Sequence, residues 1–197
     1  MPEPTRPISN TADEILDIAE MLIQTRGYSA ISYQDIADRL GIRKASIHYH
    51  FPSKTVLGAA VVDRYVERIE TALAALEADD ANPSMTIFDC YTAPYLVFAS
   101  TPDRVCLCGA LAGEFGALPA EVRDRVEHFF GRHQQWLTRI LKRGLKRGEF
   151  EFAVPAGRMA ATIVGALQGA LLIKRATGNA AGLRGVIAVL KSQIEAN

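Results

Sequence analysis

Gly41 separates two short helical signals, and that junction constrains the chain more than any other stretch. Before it, Ile36, Ala37 and Leu40 fall at i, i+1 and i+4, on one face of a helix. After it, Ile42, Ile47 and Phe51 supply an apolar side, and Pro52 stops the helix. Glycine at the junction can take the positive φ that ends the first helix. The outward side of the second helix carries Arg43, Lys44, Ser46, His48, Tyr49 and His50. These are partners for phosphates and base edges rather than core residues. Two helices joined by a tight glycine turn, the second polar and basic, predict a helix-turn-helix. Net charge over the 197 residues is zero, which by itself speaks against a nucleic-acid partner. The local balance differs: Arg39, Arg43, Lys44 and Lys54 fall between positions 39 and 54 with no carboxylate among them. A basic stripe matters more for phosphate attraction than the total.

The rest of the chain also reads as helical. Thr11-x-x-Glu14 has capping-box spacing, and Ile15, Ile18, Ala19, Leu22 and Ile23 recur behind it until Gly27. Ser32-x-x-Asp35 is a second capping box, and Ser53 can cap a long helix striped by Leu57, Val61, Tyr65, Ile69 and Leu73. Pro83 opens the next helix and Pro94 should kink it. A short apolar helix is expected from about Arg104 to Gly116. Pro119 then opens a long amphipathic one, expected to loosen into a loop from Gly144 to Val154. Pro155 opens a penultimate helix rich in small residues, and a last helix carries Leu183, Val186, Ile187, Leu190 and Ile194. No strand alternation appears. The expectation is an all-α chain of about nine helices, with a helix-turn-helix domain over 1–52 and a helical domain over 53–197. Met1–Pro7 reads as a loose arm.

Composition supports a sizeable core, with 49% apolar and 22% charged residues. Cys90, Cys106 and Cys108 form no repeating framework, so reduced thiols in a cytoplasmic protein are the simplest reading. No apolar run is expected to reach the roughly 20 residues of a membrane helix. From the residues alone Cys106 and Cys108 read as small core residues or, with His128 or His133, as metal ligands. The C-x-C spacing lacks a second pair, so no metal is assigned, and no cofactor. A helical enzyme with Cys106 or Cys108 as nucleophile and His133 as base is the alternative from another class. It lacks a third orienting group and an oxyanion site, so no catalytic residue is assigned.

From Thr11 to about Tyr65 the chain resembles the DNA-binding region of the TetR/AcrR family of bacterial transcriptional regulators. The matching text is Arg26-Gly27-Tyr28, Ser32-x-x-Asp35-Ile36-Ala37 and Gly41-Ile42-x-Lys44-x-Ser46-Ile47-x-Tyr49-His50-Phe51-x-Ser53-Lys54-x-x-Leu57. Cys106-Leu107, Glu114, Leu118-Pro119 and Gly148-Glu149 match more loosely. Arg43 and His48 depart from the pattern, where a small polar residue and an aromatic are common. The resemblance implies an all-helical homodimer that inserts its third helix into the major groove of a palindromic double-stranded operator. It also implies a C-terminal domain that binds a small, largely apolar effector, moves the fourth helix and so releases the DNA, most often as a repressor.

Within that frame Arg43 and Lys44, at the leading end of the third helix, can donate to guanine O6 and N7. Ser46 lies close to the bases and Ala45 can meet a thymine methyl. Tyr49 and His50 are placed by resemblance on phosphates, and Lys54 adds a fixed cation. Ser32 and Tyr33 suit a phosphate at the start of their helix. The effector candidates are Tyr91, Tyr95, Phe98, Cys106, Phe115, Phe129, His133, Trp136 and Gln168, an aromatic set with few polar anchors. Phe130 and Met159 belong to the same apolar group. The resemblance also implies a further reading of Cys106, as a redox or electrophile sensor, since some regulators of the family use a cysteine in a similar place. Ala161, Gly165 and Gly169, with Leu183, Ile187 and Leu190, are expected at the dimer contact.

Overall fold

The computed structural model describes residues 11–196. The arm expected at Met1–Pro7 lies outside them. Among the described residues the chain is helical throughout, with one isolated antiparallel bridge between Phe150 and Glu195. The helices are α1 (Thr11–Arg26), α2 (Tyr33–Leu40), α3 (Lys44–His50), α4 (Lys54–Ala78), α5 (Ser84–Ser100), α6 (Leu107–Gly113), α7 (Ala120–Arg147), α8 (Ala156–Thr177) and α9 (Ala180–Ser192). A 3₁₀ turn, Phe115–Ala117, follows α6.

The first three helices form a small head around Ile15, Ala19, Leu22, Ile36 and Ile47, all essentially inaccessible to solvent. Their ends follow local chemistry. The Ser32 side chain accepts from the Asp35 amide while Asp35 accepts from the Ser32 amide, the expected capping box. Gly41 closes α2 at φ 66°, and Ser53 caps α4 through the Val56 amide. Thr11 differs from expectation: it lies inside α1, and the residue before it is outside the described segment.

Helix α4 leaves the head and becomes a wall of the second bundle, where α5, α7, α8 and α9 pack on one another. α1 packs on both α4 and α6, so the two domains share a firm seam. Three boundaries differ from the sequence reading. The segment expected as one helix from Arg104 divides into α6 and the 3₁₀ turn. α7 runs straight through Gly144 and ends at Gly148, which takes the left-handed cap at φ 68°. Ile194 lies beyond α9 but is fully buried beside the Phe150–Glu195 bridge.

α8 also departs from expectation. By length and composition it is, among the described residues, the one helix apolar enough to cross a membrane. Small residues raise its hydropathy, while Ile163, Val164, Leu167 and Leu171 are buried. It packs on α5, α7 and α9, and its buried Lys174 ammonium donates to the Thr101 carbonyl.

Candidate functional site

Helix α3 is held by one buried residue, Ile47, and otherwise faces outward. Arg43 is its N-cap in an extended conformation, and its guanidinium, having no acceptor, makes no side-chain cap bond. Arg43, Lys44, Ala45, His48 and Tyr49 are exposed, and Ser46 and His50 are half-buried. Tyr49 is 83% exposed, its ring set edge-on to that of His50. Arg43, Ala45, Ser46, Tyr49, His50 and Thr11 line one shallow open hollow.

Three expected phosphate partners turn out to be engaged within the head. Tyr33 is buried, its hydroxyl donates to the Phe51 carbonyl at 2.7 Å, and its ring packs 4.6 Å from His48. Burial, and then nearby Tyr28, push its phenol up to about 12. The Tyr33 side chain therefore clamps α2 to the end of α3. Ser32 donates to Asp35 Oδ2 at 2.5 Å, so the start of α2 already holds a carboxylate. Lys54 donates to the Ser29 carbonyl at 3.3 Å and lies 4.7 Å over the Tyr28 ring.

That Tyr28–Ser29 turn is also gripped from the second domain. Glu114, at the end of α6, accepts the amides of Tyr28 and Ser29 at 2.8 Å each. A Cβ on Gly27, which has φ 92°, would lie 2.0 Å from Glu114 Oε1. Glycine is required there by backbone conformation and by the carboxylate together.

The second domain contains a partly enclosed cavity of about 250 Å³ between α1, α4, α5 and α7, closed also by Arg104 and Cys106 just before α6. Its apolar side is formed by Tyr65, Tyr91, Tyr95, Phe98 and Phe129, with Cys106 and His133. Its other side is charged and amide-bearing: Glu20, Gln24, Arg68 and Arg104. His133 Nε2 lies 3.0 Å from the Tyr91 hydroxyl, and Gln168 donates to the Tyr95 hydroxyl at 3.3 Å. Gly109 lets α6 approach Gln168, since a Cβ there would meet its Oε1 at 2.3 Å. Burial holds His133 down at about 4 and pushes the phenols of Tyr65, Tyr91 and Tyr95 up. All four groups are therefore neutral near pH 7. Cys106 is buried with its Sγ 3.3 Å from the Tyr65 hydroxyl, and burial raises the Cys108 thiol.

Of the expected effector residues, Tyr91, Tyr95, Phe98, Cys106, Phe129 and His133 meet at this cavity, and Gln168 reaches it through Tyr95. Trp136 stacks 5.6 Å behind Tyr91 and lines a different hollow between α4 and α7. Phe115 does not belong: it lies in the 3₁₀ turn, exposed and away from the cavity. The hollows between α4 and α7 are larger, about 470 and 580 Å³. Ion pairs, Arg132–Glu70, Arg139–Glu77 and Arg125–Asp63, run along their walls beside Ile69, Leu73 and Trp136, so the smaller and more aromatic cavity is the better candidate. Glu20, Gln24, Tyr65, Arg68 and Arg104 were not anticipated. Glu20 adjoins the apolar stripe of α1, which was the one available hint.

Among the described residues no three histidine, cysteine or acidic side chains gather as metal ligands. His133 is taken up by Tyr91 and Cys106 by Tyr65, so neither contact forms the cysteine–histidine pair of a nucleophile.

The head matches the family described as bacterial regulatory proteins, tetR family, over residues 15–61. Residues 91–190 match the family described as tetracyclin repressor-like, C-terminal domain. A nucleoid occlusion factor, SlmA, of Vibrio atlanticus is 31% identical over 169 residues, covering 83% of each chain. A TetR-family transcriptional regulator from Agrobacterium tumefaciens superposes with a TM-score of 0.87 at 34% identity, covering 94% of this chain and 97% of that one. A TetR regulator from Legionella pneumophila does so at 0.83 and 31%, covering 96% and 100%.

Proposed function

The chain belongs to the TetR family of bacterial transcriptional regulators, with a DNA-binding and a ligand-binding domain, and from that premise we propose how it works. It is a homodimeric repressor that reads a palindromic operator with α3 and releases it when a small molecule fills the aromatic cavity. The observation that carries this reading is the double membership of α1. Its Ile15, Ala19 and Leu22 are core of the reading head, while its Glu20 and Gln24 are wall of the cavity. A molecule that changes the cavity must therefore act on the head. α4 has the same double role, beginning beside the head at Lys54 and reaching the cavity through Tyr65 and Arg68.

On DNA, Arg43 and Lys44 face base edges, Ala45 and Ser46 approach the bases, and His48, Tyr49 and His50 flank the backbone. Lys54 and Ser32 contribute less than the sequence suggests because both already hold partners. The test is retardation of a palindromic fragment from the protein's own promoter region. Lys44→Ala and Tyr49→Ala each lose at least about tenfold in affinity, the loss of one or two good contacts. Parent-like retardation by both sinks the α3 assignment. Recovery of bound DNA across the genome then separates a local regulator, with few promoter sites, from a protein scattered over the chromosome.

A second reading rests on Cys106, which faces the same cavity. An electrophile with an activated double bond can enter and add to it: the sulfur bonds the terminal carbon, the carbon–carbon π bond breaks, and the thiol proton ends on the adjacent carbon, so that the adduct fills the cavity covalently. Cys106→Ser then keeps DNA binding but loses release by that electrophile; unchanged release removes the reading.

A further inference from the structure

Glu20 is an internal anion buried against three arginines. Its side chain is 6% exposed, and its Oε1 accepts from Arg68 at 2.7 Å. Arg104 lies 3.9 Å from the same oxygen, and Arg64 lies 3.9 Å from the other. Arg64 has a second carboxylate, Asp17, at 2.6 Å. Arg104, 37% exposed, otherwise meets the neutral Gln24, whose Oε1 accepts at 2.5 Å, and the Phe98 ring. The charged wall of the cavity is thus one carboxylate and two guanidiniums, Glu20 against Arg68 and Arg104. The rest of the lining adds no charge to offset the excess, since its histidine and tyrosines are neutral.

The aromatic wall points the same way. Rings this dense can hold a cation, but the protein's own cations take two of those faces. Arg68 lies 5.3 Å from the Tyr65 centroid and Arg104 5.9 Å from the Phe98 centroid. A ligand cation would face two arginines at close range, whereas a ligand anion would meet two donors that share one carboxylate. The volume, about 250 Å³, falls below the roughly 300–1,000 Å³ of pockets for drug-sized ligands.

We infer that the cavity takes a small organic acid, an apolar or aromatic body ending in one carboxylate, whose anion is received by Arg68 and Arg104 in competition with Glu20. This rests on the cavity being the effector site and names the class of effector. The competition also supplies the link to DNA. Glu20 and Gln24 belong to α1, while Arg68 belongs to α4 and Arg104 precedes α6. An acid that draws Arg68 and Arg104 to itself leaves Glu20 with Arg64 alone. A buried carboxylate so deprived rehydrates or moves, and α1 moves with it.

The test uses the full-length protein and three probes of one shape: 3-phenylpropanoate, 3-phenylpropanamide and 3-phenylpropylamine. Trp136, the single tryptophan, stacks on Tyr91 of the cavity wall and reports binding by its fluorescence. The expected result is a carboxylate that binds at least about tenfold tighter than the amide, with the amine weakest. Arg104→Gln removes that preference and leaves the amide unchanged. Glu20→Gln strengthens the carboxylate alone, because the competing anion is gone. An amide that binds as well as the carboxylate, an amine that binds best, or a Glu20→Gln variant weakened for the carboxylate overturns the inference while leaving an effector cavity in place. Absence of binding by all three probes overturns the cavity reading as well.

Discussion

His133 shows at the scale of one residue how burial sets a property of the whole fold. It is 8% exposed, its Nε2 meets Tyr91, and its Nδ1 is buried without a partner among the described residues. Burial lowers its proton affinity from the ordinary 6.5 to about 4. Between those values the unfolded chain binds the proton and the folded chain does not, so stability falls as pH falls through that window. The slope is about 1.4 kcal/mol per pH unit at most for one such group. Urea denaturation at pH 7, 6 and 5 checks this: the parent loses stability stepwise, and His133→Gln flattens that part of the curve. An unchanged slope in the variant would assign the acid sensitivity elsewhere. The sequence placed His133 on the apolar stripe of a helix, which made a satisfied core histidine the default and a ligand anchor the alternative. Its partner Tyr91 lies 42 residues away, and only the fold joins them.

At the scale of elements, what was legible in the sequence is what short-range chemistry decides. Ser32 with Asp35, Gly41, Ser53 and Pro155 each act within about one helical turn, and each ends or begins a helix as read. Tyr33 misled because its hydroxyl bonds a carbonyl 18 residues on, which no local pattern shows. The charged cavity wall was invisible for the same reason, since Gln24 and Arg104 lie 80 residues apart. Gly144 is the sharper case. A glycine within a helix ordinarily costs about 1 kcal/mol relative to alanine, so a break was the natural expectation. Instead α7 continues and Gly144 receives the Phe150 ring, with Phe150 Cδ2 only 2.0 Å from where a Cβ would be. Gly144→Ala should therefore destabilise by about 1–3 kcal/mol, as overpacking does, although the helix itself prefers alanine. Pairing it with Phe150→Leu, which vacates the ring position, should recover part of the loss in thermal or urea melts. A stabilised single variant would show that the loop carrying Phe150 yields at no cost.

Among the described residues, the outward faces of α8 and α9 form a surface that the protomer's own packing leaves partly apolar and uncovered. Leu183, Ile187 and Leu190 were expected at the dimer contact, but all three are buried within the protomer, facing the bundle from α9. The outward faces of α8 and α9 carry other residues: Ala161, Gly165, Leu172, Ile173 and Val189. Ile173 is 64% and Val189 58% exposed, and added Cβ atoms at Gly165 or Gly185 would meet nothing within 4 Å. Two such faces brought together would cover apolar side chains and let backbones approach closely at the glycines. A single α3, seven residues long, offers few contacts, and two-fold symmetry doubles them across half-sites about one DNA turn apart. Ile173→Glu should therefore convert the proposed dimer to a folded monomer, because two carboxylates near the axis would be desolvated without partners. Light scattering after gel filtration reads the mass, and circular dichroism checks that the helices persist. The same variant should lose most DNA retardation although its α3 is untouched, while Lys44→Ala should lose retardation and remain a dimer. If Ile173→Glu stays dimeric and binds DNA as the parent does, the contact lies on another face.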